Sequence, residues 1–221
     1  MFCIDWVNED SLLLSCKSPQ FQAALPSLAE QLKQNIKGVN DVIVASDSLL
    51  CIFDYQTELN DLESLLSRFQ LTRHSKPVKT IHVPACYDPR LGPDQEATAA
   101  HLQLNVKQLV ELHLAGHYQV KAIGFMPGFA YLSGLTKSLQ LPRKSTPASH
   151  VAAGSIAIAE DMSAVYPAAS PGGWHVIGQS PMRFFDPSSQ DMCPVKVGDQ
   201  IRFYQINFQQ FQQLQAKACL R

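Results

Sequence analysis

Residues 124–132 have the sequence GFMPGFAYL, which places two glycines and a proline among three aromatic side chains. Gly124 and Gly128 allow the backbone to adopt a positive φ or to approach another segment closely, and Pro127 stiffens the turn between them. The aromatic rings supply flat apolar surface, to which Tyr131 adds a polar tip. This combination fits a buried aromatic corner of a β fold, and it also fits one wall of a binding site.

The sequence around this stretch is poor in charge. Residues 122–180 contain only five charged side chains, together with seven of the eleven glycines and five of the fourteen prolines. Short apolar strands separated by glycine and proline predict a closed all-β barrel or sandwich. The low charge also indicates that part of this region faces something other than water.

The first seventy residues have a different pattern, which predicts a small α+β unit. Apolar periodicity predicts, in chain order, strands over 2–6 and 11–16, a helix over 21–36, strands over 41–45 and 48–53, and a second helix over 59–69. The order ββαββα favours a ferredoxin-like α/β sandwich with one extra strand.

The polar segment 71–79 lacks periodicity and marks a domain boundary, so we expect domains at residues 1–75 and 76–221. Asp94 and Asn105 occupy positions typical of helix N-caps. The second domain is predicted to begin with a strand over 78–83 and two short helices over 95–102 and 106–114.

Two more features of the charge-poor region suggest binding. The segment Ser170–Trp174 reads SPGGW and predicts a tight turn whose backbone N–H groups form an anion-binding nest. A hairpin connection followed by a core tryptophan explains the same residues. Arg143 is one of only three cations in residues 122–180, and it either forms a structural ion pair or binds a carboxylate or phosphate.

Several kinds of site are disfavoured. The chain contains no P-loop, no strand-linked G-x-G-x-x-G and no G-x-S-x-G motif. His113 and His117 stand four residues apart, but no third ligand accompanies them. We therefore interpret them as surface or polar-core histidines rather than zinc ligands, and we predict no metal site and no cofactor bound by a recognisable motif.

Composition limits the partners and the compartment. Eighteen basic and nineteen acidic side chains give a formal net charge of −1, which disfavours nucleic acid and anionic membranes as partners. No run reaches the ~18 apolar residues of a membrane span, and acidic residues near the N-terminus disfavour a signal peptide. Six cysteines without a C-x-x-C motif indicate reduced thiols, so we expect a cytoplasmic protein.

The second half of the chain resembles the 5-oxoprolinase subunit PxpB family, which includes Kip-type inhibitors of histidine kinases and is also described as allophanate hydrolase subunit 1. The motifs that carry the resemblance follow one another from residue 81 to residue 199: IHVPACY at 81–87, GPD at 92–94, Leu112-His113, GFMPGFAYLSGL at 124–135, Leu141-Pro142-Arg143, Val151–Ala159, Tyr166-Pro167, SPGGWHVIG at 170–178 and Val197-Gly198-Asp199. The chain departs from the family pattern at Ala148 and Gln179, where the family usually has arginine.

The resemblance implies an α+β protein with an N-terminal ferredoxin-like α/β sandwich followed by a cyclophilin-like β-barrel. It also implies a subunit that acts with PxpC-type and PxpA-type partners to convert 5-oxo-L-proline, ATP and water to L-glutamate, ADP and phosphate, with ATP as a co-substrate. The implied substrate-binding candidates are Phe129, Tyr131, Arg143, Ser155, Tyr166, Ser170, Gly172, Gly173, Trp174 and His113, and no catalytic acid, base or nucleophile is assigned. Inhibition of a histidine kinase and processing of urea or allophanate are the alternative functions.

Overall fold

The computed structural model describes residues 3–15, 18, 22, 24–45, 47–54 and 79–219. The chain divides into two compact units, Met1–Val78 and Lys79–Arg221. Among the described residues, no helix has both the length and the apolar character needed to cross a membrane.

The first unit is built on a four-stranded antiparallel sheet with the strand order β1-β2-β4-β3. Its elements are β1 (Cys3–Trp6), β2 (Ser11–Ser15), α1 (Leu25–Asn35), β3 (Val39–Val44) and β4 (Ser48–Phe53). Helix α1 presents Leu25, Leu28 and Leu32 to a core that includes Leu12, Leu14 and Leu49 of the sheet. The four predicted strands and the first helix are confirmed in type, whereas the helix predicted over 59–69 lies outside the described residues. The ferredoxin-like assignment therefore stays a prediction.

The second unit contains most of the strands. Its elements are β5 (Thr80–Ala85), α2 (Gln95–His101), α3 (Val106–Leu114), β6 (Tyr118–Ile123), β7 (Ala130–Ser133), a 3₁₀ turn (Lys137–Leu139), β8 (Ala148–Val151), β9 (Ser155–Ala159), β10 (Met162–Val165), β11 (Ser170–Gly172), β12 (His175–Gln179), β13 (Gln200–Gln205) and α4 (Phe208–Cys219). Helix α3 has the predicted cap, because the Asn105 side chain accepts from the Gln108 N–H and the Gln108 side chain accepts from the Asn105 N–H.

Seven of these strands form one sheet in the order β12-β9-β10-β7-β6-β13-β5. The ends of this sheet meet where Cys86, directly after β5, forms an antiparallel bridge with Gln179 of β12. Two backbone hydrogen bonds of 2.8 and 2.9 Å make the bridge, so the sheet is a nearly closed barrel. The fold is thus mixed α/β around a barrel-like sheet, and a barrel is one of the two architectures that the Gly- and Pro-punctuated sequence predicted.

Strands β9 and β10 are buried on both faces, and the two faces carry different side chains. Ile156 and Ile158 join the main core inside the barrel, to which all seven strands contribute. Ala157, Ala159 and Ala164 point to the opposite face, where they belong to a second apolar cluster. Because successive side chains of a strand alternate between faces, this Ile/Ala pattern fills the interior and leaves space outside it for larger groups.

The loop between β6 and β7 contains the GFMPGF sequence. The Phe129 N–H donates to the Met126 carbonyl oxygen over 3.0 Å, and Gly128 has φ of +81°. Pro127 and Gly128 therefore occupy the central positions of a type II turn, which requires a positive φ at the second of them. A Cβ at position 128 would also collide with the Phe184 carbonyl oxygen.

We expect Gly128→Ala to destabilise the protein by at least about 1–2 kcal/mol, because it combines a left-handed backbone with a collision against fixed backbone. Gly124→Ala is the matched control, since a Cβ at position 124 meets open space. Thermal unfolding of both variants measures the difference. Equal melting temperatures for the two variants would show that the loop adapts and that the type II turn is not required.

Candidate functional site

Four of the predicted site residues form one group, here called the aromatic cluster: Phe129, Tyr131, Tyr166 and Trp174. The Phe129 ring is central, with centroid distances of 4.9 Å to Tyr131, 5.2 Å to Tyr166 and 6.0 Å to Trp174. These three contacts have edge-to-face geometry, which aromatic rings prefer. The rings pack on the alanine face of β9 and β10. Tyr131 is only half-buried, so its ring is the most accessible of the four.

Tyr166 and Gly172 fit against each other below the surface of the cluster. A Cβ at position 172 would collide with the Tyr166 hydroxyl group, which explains a glycine there. Burial raises the pKa of Tyr166, while the charge of Arg143 and a hydrogen bond from the Trp174 backbone N–H lower it. Tyr166 is therefore a neutral phenol that holds the Trp174 backbone in position.

The Pro-Gly-Gly segment does not form the predicted tight turn. Ser170–Gly172 is a short strand that pairs with β8, and neither Gly172 nor Gly173 has a positive φ. A backbone nest needs alternating right- and left-handed residues, so the predicted anion-binding nest is absent from this segment. The Ser170 hydroxyl instead donates to the neighbouring Pro171 carbonyl oxygen over 3.1 Å.

Arg143 lies at the edge of the aromatic cluster and forms an ion pair. Its Nε is 3.3 Å from Oε1 of Glu160, and both side chains are more than half exposed. Its guanidinium carbon lies 6.0 Å from the centroid of the Trp174 ring. Exposed pairs of this kind contribute little to stability, so the contact leaves Arg143 available to another anion.

Hydrogen bonds fix the backbone on both sides of Arg143. His175 Nε2 donates to the Pro142 carbonyl oxygen over 2.9 Å, and the Lys144 N–H donates to the Gly173 carbonyl oxygen over 2.7 Å. Arg143 therefore has a fixed backbone position next to Trp174, although its side chain reaches solvent.

A second ion pair near this segment was not predicted from the sequence. Lys144 Nζ lies 2.8 Å from Oδ2 of Asp94, and the same oxygen accepts from the Val176 N–H over 2.7 Å. Asp94 occupies the predicted N-cap position of helix α2, but its side chain makes no capping hydrogen bond there. Both side chains of the pair are largely shielded from solvent, which makes the contact a link between α2, β12 and the Arg143 segment.

Ser155 and His113 are buried and are not members of the aromatic cluster. Ser155 begins β9 and is buried, and its carbonyl oxygen accepts from the Tyr166 N–H over 2.9 Å. His113 of α3 is fully buried among residues of the barrel core, where its ring contacts Tyr118 and Phe203. The structure thus brings Arg143 to the aromatic rings, whereas both Ser155 and His113 are buried.

The buried His113 belongs to a chain of hydrogen bonds. Its Nδ1 is 2.7 Å from the Tyr87 hydroxyl, and its Nε2 is 2.9 Å from the Ser163 hydroxyl. Ser163 also donates to the Ala157 carbonyl oxygen over 3.3 Å. Ser163 therefore accepts from the Nε2–H, and Tyr87 donates to Nδ1, which fixes a neutral imidazole.

A serine beside a histidine is the arrangement of a nucleophile and its base, but two facts argue against that role here. His113 and Ser163 are both fully buried, so a substrate has no access to them. Burial also lowers the pKa of His113 to about 3, far from that of a useful base at neutral pH. Among the described residues, no group of His, Cys, Asp and Glu side chains could hold a metal ion.

The comparisons with known proteins identify the family. Residues 2–195 match the model described as "Carboxyltransferase domain, subdomain C and D", and the chain belongs to this family.

Curated relatives give a narrower assignment. The chain is 37% identical over 129 residues to the B subunit of 5-oxoprolinase from Bacillus subtilis, a match that covers 58% of this chain and 54% of that protein. It is 29% identical over 206 residues to the corresponding 5-oxoprolinase protein of Haemophilus influenzae, covering 89% of this chain and 94% of that protein. The predicted resemblance to the PxpB family of 5-oxoprolinase subunits is confirmed. The match spans only about half the length of the Bacillus relative.

Solved structures share the fold. The crystal structure of TTHA0988 superposes with a TM-score of 0.80 at 29% identity, over 89% of this chain and 40% of that one. The urea amidolyase of K. lactis gives a TM-score of 0.71 at 15% identity, over 96% of this chain and 15% of that one. At that identity the likeness to urea amidolyase shows the fold alone.

The neutral, buried His113 predicts a dependence of stability on pH. Its pKa is about 3 in the folded protein against an ordinary value of 6.5, so below pH 6.5 the unfolded chain binds a proton that the folded protein excludes. The stabilisation is complete above pH 6.5 and is lost by about 1.4 kcal/mol per pH unit as the pH falls towards 3.

Chemical denaturation between pH 7 and pH 4 measures this slope. We expect His113→Gln to be less stable at pH 7 but to lose less stability on acidification than the wild type. His150→Gln, at an exposed histidine, serves as the control and should keep the wild-type slope. Identical slopes for the wild type and His113→Gln would mean that His113 takes up a proton in the folded protein.

Proposed function

We propose that this chain is a subunit of an ATP-dependent 5-oxoprolinase, which converts 5-oxo-L-proline to L-glutamate with hydrolysis of ATP. The observation that carries the proposal is its membership of the family whose curated relatives are B subunits of 5-oxoprolinase. The aromatic cluster and the neighbouring guanidinium group of Arg143 are groups that can bind the substrate of such an enzyme.

The edge of the aromatic cluster suits the substrate. A small cyclic amide has flat apolar faces and one carboxylate, and Tyr131 offers an accessible ring close to the guanidinium group beside Trp174. Arginine binds a carboxylate with two parallel hydrogen bonds, so Arg143 is the group that we assign to the substrate carboxylate. When the substrate carboxylate replaces Glu160 as the partner of Arg143, one exposed ion pair takes the place of another.

Most of the remaining candidates are buried and pack against the residues of this edge. Phe129 and Tyr166 are buried and hold the Trp174 ring, and Gly172 makes room for the Tyr166 phenol. We therefore assign substrate contact to Tyr131 and Arg143, and a supporting role to the buried residues, Trp174 among them. Ser170 and Gly173 flank this support, and Ser155 and His113 lie too deep to contact a substrate.

The chemistry requires partner subunits. An unstrained amide resists hydrolysis, and phosphorylation of its oxygen by ATP gives water a carbon that it can attack. This chain contributes binding and orientation to that reaction, and its sequence contains neither a P-loop nor a strand-linked G-x-G-x-x-G. We therefore propose that PxpC-type and PxpA-type subunits complete the site and supply the nucleotide-binding and proton-transfer groups.

The same proposal includes the finer fold and the compartment. A four-stranded antiparallel sheet with a helix on its core face supports a ferredoxin-like first unit, and the nearly closed seven-stranded sheet supports a cyclophilin-like barrel. Free cysteines at positions 3, 51, 86 and 193 are consistent with a reducing cytoplasm.

Co-expression with PxpC-type and PxpA-type subunits tests the function. We expect one co-eluting complex that forms glutamate from 5-oxo-L-proline only when ATP is present, and no turnover by this chain alone. Separate elution at micromolar concentration would contradict the proposal. So would a complex that consumes urea or allophanate instead, or inhibition of a histidine kinase by this chain in the absence of any partner.

We expect Arg143→Lys to lower kcat/KM of the assembled complex by about 10- to 150-fold, because lysine keeps the charge but loses the planar fork. Glu160→Gln is the matched control, since it breaks the same ion pair from the other side and should leave kcat/KM nearly unchanged. Both variants should melt within a few degrees of the wild type, as expected for an exposed pair. Equal effects of the two variants on kcat/KM, or none for Arg143→Lys, would remove Arg143 from the site.

A further inference from the structure

One aromatic side chain of the β6–β7 loop has no role in the site described above. Phe125 is 65% exposed, and its backbone has a φ of +72°. The left-handed region is unfavourable for a bulky side chain. Because most of the ring is in contact with water, it also lacks the favourable free energy of burying apolar surface. The isolated chain thus holds a large apolar group in a strained and exposed position.

Contacts among the residues that the structure describes do not account for this arrangement. The Phe125 ring meets the Phe129 ring edge to face at 5.4 Å, which leaves most of its surface accessible. Glycine or asparagine would adopt the same backbone conformation at lower cost. A residue that disfavours its backbone conformation and gains little from packing indicates a use for the side chain itself.

The loop presents this ring rigidly. The Gly124 N–H donates to the Phe129 carbonyl oxygen over 3.1 Å, and the type II turn at Pro127-Gly128 is seated against the Phe184 backbone. A ring that is already fixed in place loses little conformational entropy when it is bound. Rigid, exposed aromatic side chains are therefore suited to serve as the energetic centre of an interface.

The surroundings of the ring fit a protein partner. Residues 122–136 contain no charged side chain, and the nearby Pro127 is also exposed. The core of a protein–protein interface is depleted in charge and enriched in aromatic residues and methionine. The complementary surface is accordingly an uncharged pocket large enough for a phenyl ring.

We propose that Phe125 is the anchor through which this chain binds a partner subunit of the 5-oxoprolinase, with its ring inserted in an apolar pocket of that subunit. The proposal rests on the proposed function, because it takes the partner to be another component of the enzyme to which the curated relatives belong. Since Phe125 contacts Phe129, the centre of the aromatic cluster, the same contact places the partner beside the substrate-binding edge.

Two variants separate an anchor from a structural residue. Phe125→Asn and Phe125→Gly both tolerate the left-handed backbone and remove the ring. We expect each to weaken the dissociation constant for the partner subunits by about 30-fold or more, as for an interface hot spot. The melting temperature of the isolated chain should stay equal or rise, because the strain is relieved. Met192→Ala, at an exposed apolar residue of another loop, should change the dissociation constant less than about threefold.

The measurements are the dissociation constant by titration calorimetry, the melting temperature of the isolated chain and its mass in solution. An unchanged dissociation constant, a lower melting temperature in both variants, or loss of a homodimer in place of the partner complex would overturn the proposal. Failure of the wild-type chain to bind the partner subunits would also overturn it. A wild-type complex that assembles without turning over 5-oxo-L-proline would reject the proposed function and leave the anchor supported.

Discussion

The second unit depends on one constraint: along β9, isoleucine and alanine alternate between the two faces of the sheet. Ala164 and Val165 repeat this alternation on β10. The branched side chains fill the interior of the barrel, and the methyl groups on the other face leave a shallow floor for aromatic rings. Phe129 occupies the middle of this floor and touches Tyr131, Tyr166 and Trp174. A larger side chain at any of the three alanines would displace these rings, and with them the surface beside Arg143.

The barrel separates two kinds of polar chemistry. Inside, His113 is neutral because its two nitrogens are matched by one donor and one acceptor, and burial excludes a proton. Outside, Arg143 and Glu160 are in contact with water, where an ion pair forms and breaks at little cost. The interior network stabilises the fold, whereas the exterior pair is available for exchange with an anionic ligand. Exposure to solvent thus distinguishes the proposed binding residues from the structural ones.

Patterns of short range were predictable, and patterns that combine distant segments were not. The strands near residues 41–53 and the cap at Asn105 follow from periodicity and from the spacing of neighbouring polar groups. The Pro-Gly-Gly segment was predicted as a turn because its composition allows one, yet pairing with β8 holds Ser170–Gly172 extended. Asp94 has the N-cap position that its sequence context predicted, but its carboxylate binds Lys144 and the Val176 N–H, which come from two other segments, and makes no hydrogen bond to the helix backbone.

The sequence by itself determined the family, the strand-rich character of the charge-poor region and the tight turn at Pro127-Gly128, because each depends on residues close together or on motifs read in order. It also identified the aromatic residues and Arg143 as candidates. Only the tertiary structure decided which candidates share a surface, because that depends on which face of β9 and β10 each segment packs against. The tertiary structure also decided the exposure of Phe125 and the burial of His113. Both depend on neighbours that are distant in the chain, which the local sequence does not encode.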